Sequence, residues 1–312
     1  MMIKNAKKKK MSRKWYLGAI MVLGVAMAAS CGGEDGTKKE IVTSENEEQV
    51  EDVIDDGYNT AEETTIEEQV LFEHEGVKIT ATGYEKDSVL GEGINLLIEN
   101  DGDKTIGVGC DTLIVNDYMI SNLFSETVAA GKKVNKTLDL LSFELEAAGI
   151  ENVGKIEIEF YLFDADSYIT NYTADMVTIQ TSAFEQMDTT ADDAGQELYN
   201  EDGIRIVGKY VDENSFWGSA VLLYMENTSG KNVLISCDDL SVNGYMITSI
   251  LSSKIYDGKK CIDEITLFES DLTENGIESI DEIELVFNII DPDTYLTLKT
   301  TDPITFQAKV IE

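Results

Sequence analysis

The stretch Val115-Asn116-Asp117-Tyr118-Met119-Ile120 returns as Val242-Asn243-Gly244-Tyr245-Met246-Ile247, with Val242 standing 127 residues after Val115. Cys110 and Cys237 precede the two copies at the same distance. At the same offset, without a gap, Gly76 meets Gly203, Gly91 meets Gly218, and Glu99-Asn100 meets Glu226-Asn227. Further on, Gly131-Lys132-Lys133 meets Gly258-Lys259-Lys260, and Asp164, Asp166 and Tyr168 meet Asp291, Asp293 and Tyr295. About a third of aligned positions are identical, which makes this a tandem duplication of one folded unit. A period this long in only two copies implies two complete domains and not a solenoid. The expected boundaries are residues 69–182 for the first repeat, 183–196 for a polar linker and 197–312 for the second.

Inside a unit the apolar residues alternate or form short runs bounded by turn residues, as strands require. Val77-Lys78-Ile79-Thr80-Ala81 alternates, Ile94 to Ile98 is more continuously apolar, and Lys155 to Phe163 reads as a long alternating strand with Glu282 to Ile290 as its counterpart. Asn116-Asp117 and Asn243-Gly244 tolerate the positive φ of a type I′ turn, so each copy of the motif is expected to be a tight hairpin. Further strands are expected near Val134 to Leu140, at Met176 to Thr181 and at Pro303 to Ala308. One helical turn is expected at Phe143 to Ala148 and again at Ser270 to Asn275, stopped by Gly149 and Gly276. Asp271 and Glu274 have the spacing of a capping box. Seven to nine short strands per unit point to an all-β chain of two tandem immunoglobulin-like antiparallel β-sandwiches, with a barrel as the alternative.

The N-terminus has a different character. Residues 1–14 hold Lys4, Lys7 to Lys10, Arg13 and Lys14, and an apolar run from Trp15 to Ala29 follows. A basic segment before a run shorter than the roughly 20 residues of a membrane span is the layout of an export signal, assigned here to residues 1–30. The run ends in Ala28-Ala29-Ser30-Cys31-Gly32-Gly33, which resembles the lipobox of bacterial lipoproteins. That resemblance implies cleavage before Cys31 and diacylation of its thiol, a two-chain anchor that holds stably. Residues 31–68 are dominated by Glu, Asp, Thr and Ser without sustained periodicity, and are expected to form an extended, disordered tether. Signal, tether and repeats together resemble uncharacterised lipoproteins of Gram-positive bacteria with immunoglobulin-like domains of unknown function. The resemblance implies a lipid-anchored protein on the outer face of the cytoplasmic membrane.

The chain carries 60 acidic and 24 basic residues, seven of the basic ones inside the signal. Such a surface repels nucleic acid, so nucleic-acid partners are excluded. The expected partners are the membrane, through the lipid, and a protein or polysaccharide of the cell envelope; oligomeric state is left open. Asp164 and Asp166, and their counterparts Asp291 and Asp293, follow the longest strand. Alternating carboxylates of this kind can bind Ca²⁺, but they lack the rest of an EF-hand loop, and they are read first as turn formers and only weakly as calcium ligands. Cys110 and Cys237 occupy one slot and are read as buried hydrophobes; only Cys237 with Cys261 could pair within a repeat. Phe216-Trp217, opposite Val89-Leu90, is read as packing. The one histidine, His74, faces Glu201 in the sister copy, so no duplicated histidine mechanism is possible. No catalytic motif and no cofactor are expected, and the functional reading is a non-enzymatic surface module that binds a ligand, or else a spacer.

Overall fold

The computed structural model describes residues 63–88, 90–215 and 218–308. The signal segment, Cys31, the tether as far as residue 62 and the pair Phe216-Trp217 lie outside the described residues. Among the described residues no helix is long and apolar enough to cross a membrane.

The first repeat runs β1 (Gln69–His74), β2 (Val77–Ser88), β3 (Gly91–Asn100), β4 (Ile106–Val115), β5 (Tyr118–Ile120), β6 (Ser125–Val128), β7 (Lys132–Leu141), α1 (Ser142–Ala147), β8 (Lys155–Asp164), β9 (Thr170–Thr173) and β10 (Val177–Gln180). The second follows with β11 (Gln196–Glu201), β12 (Ile204–Ser215), β13 (Gly218–Asn227), β14 (Val233–Val242), β15 (Tyr245–Met246), β16 (Ser249–Ile250), β17 (Ser252–Ile255), β18 (Lys259–Phe268), α2 (Glu269–Glu274), β19 (Glu282–Ile290), β20 (Thr297–Thr300) and β21 (Ile304–Gln307). The protein is all-β. In the first repeat one sheet has the order β1-β2-β3-β7, and the other is built on β10-β8-β4-β5, with β6 also on β4 and β9 also on β8. Strands β2, β3 and β7 take the places of A, B and E of an immunoglobulin sandwich, and β4, β8 and β10 those of C, F and G. No barrel closes.

Alternation decides which face is buried. In β8, Ile156, Ile158, Phe160 and Leu162 point into the core while Lys155, Glu157, Glu159 and Tyr161 stay partly exposed. In β19, Ile283, Leu285, Phe287 and Ile289 do the same for the second core. The hairpins form as expected, with positive φ at Asn116 and Asp117 and at Asn243 and Gly244. Asn116 does more than turn. Its carbonyl oxygen accepts the N–H groups of Gly154 and Lys155 at 2.9 and 3.1 Å, and its amide donates to the Asn152 carbonyl at 2.7 Å. Asn243 makes the matching bonds to Asp281, Glu282 and Ser279. Each hairpin is thus clamped to the loop that feeds β8 or β19.

One expectation needs correction. The helices begin one residue earlier than expected, with Leu141 and Phe268 at the N-cap positions and no side-chain cap. Asp271 therefore sits within the first turn, where its carboxylate accepts the Thr248 N–H at 2.8 Å, and the capping box with Glu274 does not form. Glu144 plays the same part for Ser121 N–H at 2.6 Å. Two aspartates of the polar linker pair with the second repeat, Asp193 with Arg205 at 2.7 Å and Asp192 with Lys209 at 3.2 Å.

The repeats share a sheet. Strand β5 lies parallel to β18 of the second repeat, with Tyr118 opposite Lys260 and Met119 opposite Cys261. Lys260 N–H donates to the Asp117 carbonyl at 2.9 Å, and the Lys260 ammonium lies 5.3 Å from the Tyr118 ring centroid. Tyr118 is 3% exposed, whereas Tyr245 at the same place in the second hairpin is 51% exposed. Tyr118→Ala should therefore cost about 3 kcal/mol or more in a denaturant titration, and Tyr245→Ala less than about 0.5 kcal/mol. Tyr118→Phe should be close to neutral, because the Tyr118 hydroxyl is buried without a hydrogen-bond partner.

Candidate functional site

The loop between β8 and β9, and its twin between β19 and β20, present the most exposed apolar side chains shared by both copies. Tyr168 is 78% exposed beside Ile169 at 64%, and Tyr295 is 75% exposed beside Leu296 at 66%. Both loops are built alike. Asp164 Oδ1 accepts the Asp166 and Ser167 N–H groups at 3.1 and 2.9 Å and the Ser167 hydroxyl at 2.9 Å. Asp291 Oδ1 accepts the Asp293 and Thr294 N–H groups at 3.0 and 2.9 Å. These bonds hold both carboxyls below the usual carboxylate range. Two backbone bonds then close each loop, Tyr168 N–H to the Asp164 carbonyl and Asp164 N–H to the Ile169 carbonyl, with Tyr295, Asp291 and Leu296 repeating them.

The closure puts Tyr168 and Tyr295 in the left-handed region, at φ of 58° and 57°. A bulky non-glycine residue there is uncommon and costs on the order of 1 kcal/mol or more. The same strain at the same aromatic in both copies holds each tyrosine at a loop tip, next to an exposed aliphatic. The Tyr168 ring also stacks on Phe163, with centroids 6.0 Å apart. Phe163 and Tyr161 lie across Gly107 and Gly109, where an added Cβ would fall within the rings. In the second repeat these four positions are Ile290, Asn288, Leu234 and Ser236, so the aromatic row under the tip belongs to the first repeat only.

Sequence reasoning noticed the aspartates of these loops and overlooked the tyrosines. The structure places Asp164, Asp166, Asp291 and Asp293 in the turns, and among the described residues no group of three or more His, Cys, Asp or Glu side chains could hold a metal ion. Cys110, Cys237 and Cys261 are buried and unbridged. Burial pushes the Cys110 thiol up to about 12 and raises Cys237 and Cys261 as well, which makes all three poor nucleophiles. His74 stacks on Tyr172 at 3.8 Å beside Phe72. At the matching positions of the second repeat Lys299 pairs with Glu201 and lies over the Tyr199 ring, so this slot joins β1 to β9, and β11 to β20, by two different chemistries.

A second concentration of titratable groups lies along the junction. Lys259 reaches Asp117 at 2.7 Å and also pairs with Glu157, while Lys155 pairs with Asp117 at 2.7 Å. Burial opposes charge on Asp117, but the two ammoniums outweigh it and hold the carboxyl low. Tyr256 donates to Glu159 at 2.6 Å and accepts from Thr112 at 2.9 Å, and Lys254 pairs with Asp111 at 3.0 Å. Nearby, burial pushes Glu144 up to about 7; burial and then the neighbouring Asp263 push Glu264 up to about 7. Asp263, which accepts from Ser253, is itself raised by burial.

Neither a family profile nor a curated protein sequence matches the chain. Among solved structures it is similar to an exo-chitosanase of Amycolatopsis orientalis at 12% identity, covering 75% of this chain and 26% of that one with a TM-score of 0.23. It is also similar to a protein of unknown function from Porphyromonas gingivalis at 11% identity, covering 70% of this chain and 91% of that one with a TM-score of 0.19. The chain thus spans about a quarter of the chitosanase. Superposition at this level carries no argument about activity.

Glu144 and Glu264 hold their protons more tightly folded than unfolded, so the stability they contribute is complete below the ordinary carboxylate range and is lost as pH rises through about 7. The melting temperature should fall between pH 5 and pH 8, and the combined Glu144→Gln and Glu264→Gln variant should flatten that slope. An unchanged slope would show that other groups set it.

Proposed function

We propose that the protein is a non-enzymatic lipoprotein of the cell surface, anchored through Cys31, whose two repeats form an extracellular binding module for a polymer or protein of the envelope. The observation that carries this reading is the pair of strained tips, Tyr168-Ile169 and Tyr295-Leu296, left exposed in the same way in both copies. Tyrosine offers a large, rigid contact surface at low conformational cost and is enriched among residues that dominate binding energy. A repetitive ligand whose repeat matches the spacing of the two tips engages both, and the second contact is then an intramolecular event of high effective concentration. Cysteines that are buried and one stacked histidine support the non-enzymatic part of the reading. The spacer reading draws on the shared sheet, which holds the repeats as one body.

The test is retention of the purified chain on cell-wall glycan and on immobilised surface extract. Tyr168→Ser and Tyr295→Ser should each weaken saturable retention about tenfold, equivalent to about 1.4 kcal/mol, and the double variant should abolish it. Retention that both changes leave intact, or no saturable retention on either material, would favour the spacer. For the anchor, metabolic acyl labelling should disappear in Cys31→Ala.

A further inference from the structure

The junction uses half of a duplicated pair of surfaces, and the other half is uncovered by any strand among the described residues. Strand β5 covers the outer edge of β18; by the same offset β15 is the twin of β5, and β7 is the twin of β18. Strand β7 ends its sheet, with no strand on its outer side among the described residues. Lys132 and Lys133 are exposed, whereas Lys259 and Lys260, beneath the first hairpin, are half-buried. The free hairpin exposes Tyr245 at 51% and Met246 at 65%, whereas Tyr118 is buried and Met119 packs on the second core. Both edge strands pair with their inner neighbours in the same register: Glu99 opposite Lys133, and Glu226 opposite Lys260. Since Lys260 N–H points outward to the Asp117 carbonyl, Lys133 N–H points outward too.

We propose that the free hairpin of one copy, Tyr245-Met246, adds in parallel to the β7 edge of a second copy, with Tyr245 opposite Lys133 and Met246 opposite Val134. Several determinants of the internal junction survive at the free surfaces. Lys133 stands where Lys260 covers the Tyr118 ring, Lys132 where Lys259 reaches across, and Glu284 where Glu157 receives it. Others are pared down: Gly244 replaces Asp117, Ala129 replaces Tyr256, Thr127 replaces Lys254, and Leu97 and Asn135 replace Tyr224 and Ile262. The internal contact is permanent because the chain links its halves. The contact between copies lacks part of its ion pairing and apolar cover, so it is weaker and forms where copies are crowded. Because the two surfaces differ, the contact is head-to-tail, and it extends as a row of copies or closes as a ring according to the rotation between neighbours.

Cross-linking tests this without reference to any ligand at the tyrosine tips. The full chain is held in detergent with Cys31→Ser, so that the native thiols of the two repeats are the buried ones. Chains carrying Lys133→Cys are mixed with chains carrying Tyr245→Cys under mild oxidation. Paired positions on neighbouring strands lie about 5 Å apart, within disulfide reach. The mixed dimer should form several-fold more than in a control mixing Lys133→Cys with Tyr295→Cys chains. Equal yields in the two mixtures, or a Tyr245→Cys homodimer formed as readily, would overturn the proposal. Sedimentation velocity gives a second reading on chains without added cysteines: mass should rise with concentration into the millimolar range, and Tyr245→Asp should abolish the rise. A mass that stays constant would also overturn it.

Discussion

A strand at the end of a sheet leaves a row of N–H and carbonyl groups unpaired, and a protein has to cover, shorten or charge that row. Strand β18 has its outer edge covered by β5, the short second strand of the hairpin from the other repeat. Much of the junction follows from that contact. The Lys260 N–H to Asp117 carbonyl bond sets the position of the hairpin, Lys259 is brought between Asp117 and Glu157, and Tyr256 is brought onto Glu159. The first core cluster extends across the junction to Val207 and Tyr224 of the second repeat. Two sandwiches that each resemble an independent domain become one body through backbone hydrogen bonding supported by apolar contact and buried charge.

Charge makes this arrangement consequential. The chain carries a formal charge of −36, and its repeats would repel one another if nothing offset the carboxylates at their junction. Lys155, Lys254, Lys259 and Lys260 are placed at that point. The pairs of Lys155 and Lys259 are partly shielded, so they are less screened by salt than surface pairs would be. The raised Glu144 and Glu264 show the other side of the same crowding: where no ammonium is at hand, a carboxyl out of water keeps its proton more readily.

Much of the fold was legible from periodicity and turn chemistry. The duplication, the two hairpins, the long alternating strands β8 and β19 and the left-handed glycines at 149 and 276 all follow from local rules. Short edge elements such as β6, β9, β17 and β20 were not, because four residues of mixed polarity carry no period. The capping-box expectation failed because α2 begins at Glu269, which puts Asp271 inside the first turn, where its carboxylate holds a neighbouring loop. In the site loops, Asp164 and Asp291 were correctly seen as turn formers. Tyr168 and Tyr295 were passed over because exposure of an aromatic depends on what surrounds it, and no local pattern states that.

The hairpins Val115–Ile120 and Val242–Ile247 show where sequence stops deciding. Their residues determine a type I′ turn, a clamping asparagine and the face on which the tyrosine stands, since those depend on φ preference, side-chain hydrogen bonding and the two-residue repeat of a strand. Only the tertiary structure decided that Tyr118 is buried under Lys260 while Tyr245 stands in solvent. The physical reason is that burial belongs to the pair of surfaces and not to the motif: one hairpin meets the edge of β18, and its twin leaves Tyr245 51% exposed.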